Sequence, residues 1–510
     1  MLARVSSAAL VGINAIEVDV QVDAHKCRDS KGRVTIVGLP DTAVKEASER
    51  VRAAIVNSGF SLDFNMRVTV NLAPADLKKE GPGFDLPIAL GILLATGQVP
   101  LTDSSDFLML GELSLDGRVR KVTGALSSAI AAANLKKSGL IIPKDSLDEA
   151  ALIENIPIYP VTNLTEVVHI FTEEKNRSPI LGKPFEEIFS EDFILDMSEI
   201  KGQIAARRAL EIAAAGGHNI LMSGPPGSGK TMLAKRLPTI LPPLQREEAM
   251  EVTNIYSIAS MLKGNGIIMN RPFRSPHHTI STAGLSGGGA VPRPGEITLA
   301  HRGVLFLDEF PEFNRGALEV LRQPMEDRVI TISRAAAAYT FPADIQLIAS
   351  MNPCPCGYFG DTKRHCTCNP IQRERYKQKI SGPLLDRIDI HMNIARLSKD
   401  ELLSAKSGES SKYIRERVIA ARKIQSERFK ESGTANNASM RAIEIKEYCA
   451  LGEQSRDILS SAIDKLHLSA RSYDRILKTS RTIADLDGQP YIELQHISEA
   501  LRLRSFDKQF

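Results

Sequence analysis

The sequence predicts an α/β protein of several domains, and three observations carry that reading. Strand and helix patterns alternate from the N-terminus to about residue 170. An apolar strand runs straight into the loop GPPGSGKT and then into a helix near residue 230. Beyond residue 396 the chain reads as helix throughout. At 510 residues it is too long for one ordinary core, so two to four domains are expected. With 43% apolar and 25% charged residues the composition is that of a globular protein. A net charge of +3 neither requires nor excludes nucleic acid, since local patches decide that. Apolar runs are too short for a membrane-spanning helix, so no membrane partner is expected.

The N-terminal MLARVSSAALVGINAIEVDVQVD has a short apolar run, broken by Asn14, that passes into the alternation Ile16, Val18, Val20, Val22. That is a strand, not a signal peptide, and the chain is expected in the cytoplasm. DTAVKEASERVRAAIVNSG predicts a helix with Val44, Ala47, Val51, Ala54 and Ile55 on one face, Asp41 as N-cap and Gly59 as stop. MRVTVNLAP alternates as a strand, and DLPIALGILLATG reads as a helix. These elements make a first domain over 1–170. The charged, proline-interrupted segment 171–195 suits a linker, 196–395 carries the phosphate chemistry, and 396–510 forms a helical lid. In the lid KYIRERVIAARKIQSERFK aligns Ile414, Val418, Ala421 and Phe429. Its basic excess reads as a solvated face more readily than as a binding surface.

HNILMSGPPGSGKTMLAKRL is the strongest signal. Gly224, Pro225, Pro226, Gly227, Ser228, Gly229, Lys230 and Thr231 form a phosphate-binding loop in its strand–loop–helix setting, which calls for ATP and Mg²⁺. Lys230 is expected at the β- and γ-phosphates and Thr231 on Mg²⁺. In GVLFLDE an apolar strand delivers Asp308 for Mg²⁺, through water, and Glu309 to polarise the attacking water. The strand DIQLIASMN ends in Asn352, placed for the lytic water or γ-phosphate, unless it is an exposed loop residue. SGPLLDRIDIH offers Arg387 either as an arginine finger for a neighbouring subunit or as the partner of Asp386 or Asp389 in its own chain. Arg471 in LSARSYDRILKTSRTIADL is a candidate to reach the γ-phosphate from the lid, which position alone does not establish.

NLAPADLKKEGPGFDLPIALGILLATG, FRSPHHTISTAGLSGGG, PRPGEITLAHRGVLFLDEFPEF, LRQPMEDRVITISRAAA, MNPCPCGYFGD, SGPLLDRIDIH and SARSYDRILKTSRTIADL together resemble the magnesium-chelatase-like AAA+ ATPases. Within that branch the chain looks like the ComM/YifB family over nearly its whole length. Only HKCRDSKGR, at 25–33, departs from the glycine-leucine-proline text expected there. The resemblance implies a homo-hexameric AAA+ ring with Arg387 as arginine finger and Arg471 as sensor-2 residue. It implies a motor on single-stranded or branched DNA without sequence preference. That motor would be a helicase for branch migration during homologous recombination of transforming DNA, with recombination proteins as possible partners. A chelatase-type ATPase that remodels protein or metal-insertion partners is the alternative. A protein unfoldase is disfavoured by the lack of an aromatic pore loop. The first domain resembles the Lon-protease-like fold. However, Gly83 stands where that family's serine belongs and Leu126 where its lysine belongs, so peptidase activity is not expected and a binding or assembly platform is.

CPC-x₉-CTC places Cys354, Cys356, Cys366 and Cys368 in an insertion, 352–370, between the sensor strand and the arginine-finger loop. Four soft thiols suit a closed, structural Zn²⁺ site, with His365 as a possible substitute ligand and free thiols as the alternative. An ordered insertion would project Lys363 and Arg364 for nucleic acid, with Tyr358 and Phe359 to stack on bases, or else act as a strut at a subunit interface. VITISRAAAAYTFPADIQLI reads as a hairpin with Arg334 near its tip. FRSPHHTISTAGLSGGGAVPRPG is an insertion with His277 and His278. In related ring helicases such loops line the channel and grip DNA, which makes these three residues DNA-contact candidates, with a part in loop structure the alternative for the two histidines.

Overall fold

The computed structural model of the chain describes residues 1–26, 33–62, 66–100, 104–173, 178–182, 194–262, 266–289, 292–333, 338–361, 363–397, 408–466 and 469–504. Most of the departing segment 25–33 and most of the expected linker therefore lie outside the described residues, as does Arg334. The chain forms two compact units, Met1–Ser190 with Ala249–Ile268, and Glu191–Glu248 with Met269–Phe510.

In the first unit the N-terminal alternation becomes a long hairpin. β1 (Leu2–Val11) and β2 (Asn14–Lys26) pair antiparallel from Leu2↔Asp23 to Val11↔Asn14. Val18, Val20 and Val22 share a buried face. β3 (Arg33–Val37), β4 (Met66–Ala73), β5 (Phe107–Met109), β6 (Gly139–Pro143) and β7 (Ile158–Val161) complete a seven-stranded sheet in the order β3-β4-β2-β1-β5-β6-β7. Helix α1 (Thr42–Asn57) starts at Asp41, whose carboxylate accepts from the Val44 N–H at 2.8 Å, and buries the five apolar residues expected. α2 (Asp85–Ala95) is buried along its whole length. It comes so close to β2 that a Cβ on Gly91 would lie 2.6 Å from Val22. In α3 (Ala125–Asn134) Leu126 is fully buried, and a Cβ on Gly83 would meet only Leu110 and Val122, at 3.9 Å. The turn that would hold a nucleophile is thus walled by apolar carbon.

Residues 249–268, which the sequence assigns to the phosphate-binding region, pack with this first unit. They do so through polar contacts that helical periodicity does not reveal. Asn254 accepts from Ser127 at 2.6 Å and donates to the Ile13 carbonyl at 2.8 Å, and Ser257 donates to Glu149 at 2.6 Å.

The second unit is built on α4 (Ile204–Gly216), β8 (Ile220–Ser223), α5 (Lys230–Arg236), β9 (Phe273–Arg274), β10 (Val304–Leu307), the hairpin β11 (Val329–Ser333) and β12 (Ala338–Pro342), β13 (Gln346–Met351) and β14 (Ile390–Asn393). Five of these strands form a wholly parallel sheet in the order β9-β10-β13-β8-β14. Ile220 to Met222 and Val304 to Leu307 are all fully buried, as strands covered on both faces must be. Ser223 lies opposite Met351 and Asn393, and Leu307 opposite Ala349. Gly224, Asp308 and Asn352 therefore emerge together at the C-terminal edge, where parallel sheets place their ligands.

The C-terminal helices include α6 (Ser411–Arg428), α7 (Ala470–Leu486) and α8 (Leu494–Arg502), and they share one apolar cluster with α4 and the sheet. Ile414, Val418, Ala421 and Phe429 are buried in it, as their spacing predicts. α7 meets the sheet at the N-terminal edge: Arg475 pairs with Asp389, just before β14, and Thr482 bonds His218, just before β8, at 2.8 Å. Burial opposes charge on Asp389, but Arg475 and then His218 hold its carboxyl far below the usual range.

Candidate nucleotide site and cysteine cluster

Two glycines let the phosphate-binding loop close. Gly229, at φ 92°, occupies the left-handed region just before α5, and a Cβ on Gly224 would run into the Ile394 carbonyl. Lys230 is the first residue of α5 and is buried. Its ammonium donates to the Gly224 carbonyl at 2.7 Å, the Pro225 carbonyl at 3.1 Å and Asn352 Oδ1 at 3.4 Å. Burial lowers its pKa, and nearby Asp308 opposes that shift. The Thr231 hydroxyl donates to Asp308 Oδ2 at 2.9 Å, while Asp308 Oδ1 accepts from the Glu309 N–H at 3.0 Å and from Ser350. Lys230, Thr231, Asp308 and Asn352 are thus brought together at one edge. The hydroxyl and carboxylate present hard oxygen donors side by side, which suits Mg²⁺ carried by a nucleotide.

Glu309 has a left-handed backbone, φ 53°, uncommon for a non-glycine residue and most often retained where function demands it. Its carboxylate pairs with His278 Nδ1 at 3.0 Å. His278 stacks against His277 with ring centres 4.1 Å apart and meets Phe313 edge-on. His277 is exposed and bonds Thr279 at 2.9 Å. The insertion read from sequence as a DNA loop therefore touches the Glu309 carboxylate through one of its two histidines.

Neither arginine lies at the loop of its own chain. Arg387 is buried and pairs with Glu326, not with Asp386 or Asp389, and also donates to the Pro383 carbonyl at 2.6 Å. Its own carbonyl accepts from the Asn219 side chain at 3.5 Å, at the N-terminal edge of β8. Arg471 is exposed at the start of α7, one turn from Arg475 and its anchor at the same edge.

Cys354, Cys356, Cys366 and Cys368 gather so that all four sulfurs lie within 4.8 Å of one another. Cys354 and Cys356 are 3.3 Å apart, and each is 3.6 Å from Cys366. A tetrahedral ion about 2.3 Å from each sulfur would set them about 3.8 Å apart, so the donor set fits Zn²⁺. Burial opposes ionisation of Cys356, but the N–H groups of Tyr358 and Thr367 pull its pKa down to about 5. These four residues would hold the ion, which would supply a cross-link only. The cluster backs onto the phosphate loop: a Cβ on Gly357 would lie 2.8 Å from Pro226. Ser223–Pro225, Phe359–Asp361 and Asn393–Arg396 wall a cavity of about 230 Å³ beside it. The aromatic faces read as base-stacking surfaces are engaged internally, Arg364 lying 5.2 Å over Tyr358 and Arg373 4.1 Å over Phe359. Lys363 is exposed.

Three residues of the site escaped the sequence reading. Ser350 sits two positions before Asn352 on β13, so period-two alternation was the available signal for its position beside Asp308. Gln203, left-handed at φ 49°, bonds the Ala395 carbonyl at 2.8 Å and the Ser228 carbonyl at 3.4 Å. Arg396 donates to the Pro226 carbonyl at 3.0 Å. No local pattern marks either of these two.

Known proteins resemble the chain along most of its length. Residues 196–402 match the family model for magnesium chelatase, subunit ChlI; residues 20–146 match that for subunit ChlI of Mg-chelatase; and residues 408–504 match the C-terminal model of the same subunit. The competence protein ComM of Haemophilus influenzae is 44% identical over 508 residues, covering 99% of this chain and 97% of its own. YifB of Escherichia coli is 43% identical over 511 residues, covering 99% and 98%. Lon protease 1 of Syntrophobacter fumaroxidans is 28% identical over 149 residues, covering 27% of this chain and 18% of its own.

Proposed function

This chain belongs to the ComM/YifB family of magnesium-chelatase-like AAA+ ATPases, and from that premise we propose that it is a DNA motor. It works in the cytoplasm as a homo-hexameric ring on single-stranded or branched DNA, a helicase that drives branch migration during recombination of incoming DNA. The observation that carries the reading is the contact between Glu309 and His278. A carboxylate that must polarise water is restrained by a residue of the insertion that would grip DNA, so DNA pulling on that insertion would release it for hydrolysis. Lys230 holds the phosphates, Thr231 and Asp308 hold Mg²⁺, and Asn352 positions the γ-phosphate or water. Arg387 acts as the arginine finger on the nucleotide of an adjacent protomer, and Arg471 is the sensor-2 residue that reaches the γ-phosphate from the lid. Zinc orders the segment that backs the phosphate loop. Arg334, His277, Lys363 and Arg364 contact the DNA backbone.

ATPase rate with and without single-stranded and forked DNA, across salt, tests this. Stimulation that fades with rising salt is expected. Absence of both stimulation and salt-dependent binding defeats it. The chelatase-type alternative is favoured by the three matches to the chelatase subunit, and it predicts hydrolysis indifferent to DNA.

A further inference from the structure

A cavity of about 590 Å³ opens in the second unit at the N-terminal edge of the sheet, away from Lys230. The charged residues lining it are Arg271, Arg302, Arg422, Lys423, Glu248 and Asp344, four cations against two carboxylates. Both carboxylates are already engaged. Glu248 pairs with Arg271 at 2.9 Å and Arg302 at 3.6 Å; Asp344 pairs with Arg302 at 3.0 Å and with Arg328 at 3.6 Å. Arg422 has only a carbonyl: its Nε and Nη2 donate to Ala214 O at 3.2 and 2.9 Å, and no carboxylate among the described residues pairs with it. Burial, and then the nearby Arg271, push Arg422 down to about 10, against the pull of Asp344 and Glu248. Lys423 is exposed beside it.

A partly buried guanidinium whose fork meets only a carbonyl, beside carboxylates already paired with other arginines, is under-compensated, and an arriving anion offsets that cost. Its planar fork matches phosphate and carboxylate oxygens. The volume falls in the range of small-molecule sites. We infer that this cavity binds a small soluble polyanion, a solute bearing two or more phosphate or carboxylate groups, on the fork of Arg422 with Arg302 and Lys423 beside it. The basic face of α6, which composition alone reads as solvated, would then be partly a ligand surface. The site is separate from the nucleotide loop and does not rest on the DNA-motor reading.

The competing structural role for Arg422 is to cap the last carbonyls of α4, and the test separates the two. In the Lys230→Ala chain, which lacks the cation of the phosphate loop, titration calorimetry with inorganic pyrophosphate and, separately, citrate should show binding by at least one. Whether phosphate or carboxylate wins identifies the class of solute. The bound anion should slow phenylglyoxal modification of Arg422, followed by peptide mass spectrometry, at least ten-fold. Adding Arg422→Gln should weaken binding at least ten-fold, about 1.4 kcal/mol. The inference is overturned if neither anion binds, if binding survives Arg422→Gln, or if Arg422 labels at the same rate with and without anion. Should Arg422→Gln fail to fold, the labelling of the Lys230→Ala chain decides alone.

Discussion

Replacing Arg387 with alanine removes a guanidinium that is only 6% exposed and is held by Glu326 and the Pro383 carbonyl. The Glu326 side chain is 49% exposed and can rehydrate, so the loss of stability is about 1–3 kcal/mol. A domain with an extensive core tolerates that. If Arg387 completes a neighbour's site, the loss in turnover is far larger, about 10³–10⁵-fold, or about 4–7 kcal/mol of barrier. The assay is complementation. Lys230→Ala chains lack a working phosphate loop but keep Arg387, and Arg387→Ala chains are the reverse. In a random ring mixed one to one, about a quarter of the head-to-tail interfaces would join an intact loop to an intact arginine. The mixture should therefore regain about a quarter of the unmutated rate while each variant alone stays near zero. An Arg387→Ala chain that hydrolyses ATP at close to the normal rate would refute the reasoning. So would a mixture no faster than its components, once circular dichroism shows both variants folded.

His278→Ala frees Glu309 from a partner worth about 0.2–1 kcal/mol at a site this exposed. DNA-independent hydrolysis should rise up to about five-fold and the stimulation by DNA should shrink; an unchanged ratio of the two rates counts against the coupling. Cys354→Ser should lower zinc, measured by elemental analysis, from about one ion per chain to near none. It should also weaken nucleotide binding, because the cluster backs onto Pro226; unmutated chains that purify without zinc contradict the assignment. Asp389 titrates far lower folded than the ordinary carboxyl near 3.9. Its stabilisation should be complete above that value and fade as the pH falls below it. Urea midpoints between pH 7 and 3 should show the fall. Asp389→Asn should flatten it and cost about 3–5 kcal/mol at neutral pH by stranding Arg475; a fall of equal depth in the variant assigns the effect elsewhere.

What could be read from sequence divides by the range of the interaction. Helix α1 announces itself through the spacing of Val44 to Ile55 and the cap at Asp41, all within one element. β8 and β10 are continuous apolar runs, and their burial on both faces follows from that alone. The phosphate loop is legible because its glycines answer a local backbone demand. The partners of Arg387 and Glu309 are set by contacts over longer range. Glu326 lies 61 positions from Arg387, and nothing in SGPLLDRIDIH separates it from the nearer Asp386 and Asp389 as a partner. His278 reaches Glu309 because β9 and β10 are neighbours in the sheet, a pairing that local periodicity does not specify. The same limit hid the attachment of residues 249–268 to the first unit, which rests on Asn254 and Ser257 meeting residues more than a hundred positions away.

The placement of the two arginines bears on the assembly itself. Lys230, Asp308 and Asn352 follow the C-terminal ends of their strands, while Arg387 and the anchor of α7 sit before the N-terminal ends of β8 and β14. Four strand residues separate these edges, about 13 Å at about 3.3 Å per residue. Because its central strands β8, β10 and β13 are buried along their whole length, no hinge inside the sheet can bring one edge to the other. A chain acting alone would have to disrupt its own core to put Arg387 beside its own phosphates. A two-fold dimer is a poor remedy, since an isologous interface opposes each surface patch to its own copy. A head-to-tail contact joins two different surfaces, and repeated with rotation it closes into a ring. Each N-terminal edge could then face the C-terminal edge of the next protomer. The proposed ring thus follows from which end of β8 each charge occupies, and it would lose its basis if Arg387 proved to serve the nucleotide of its own chain.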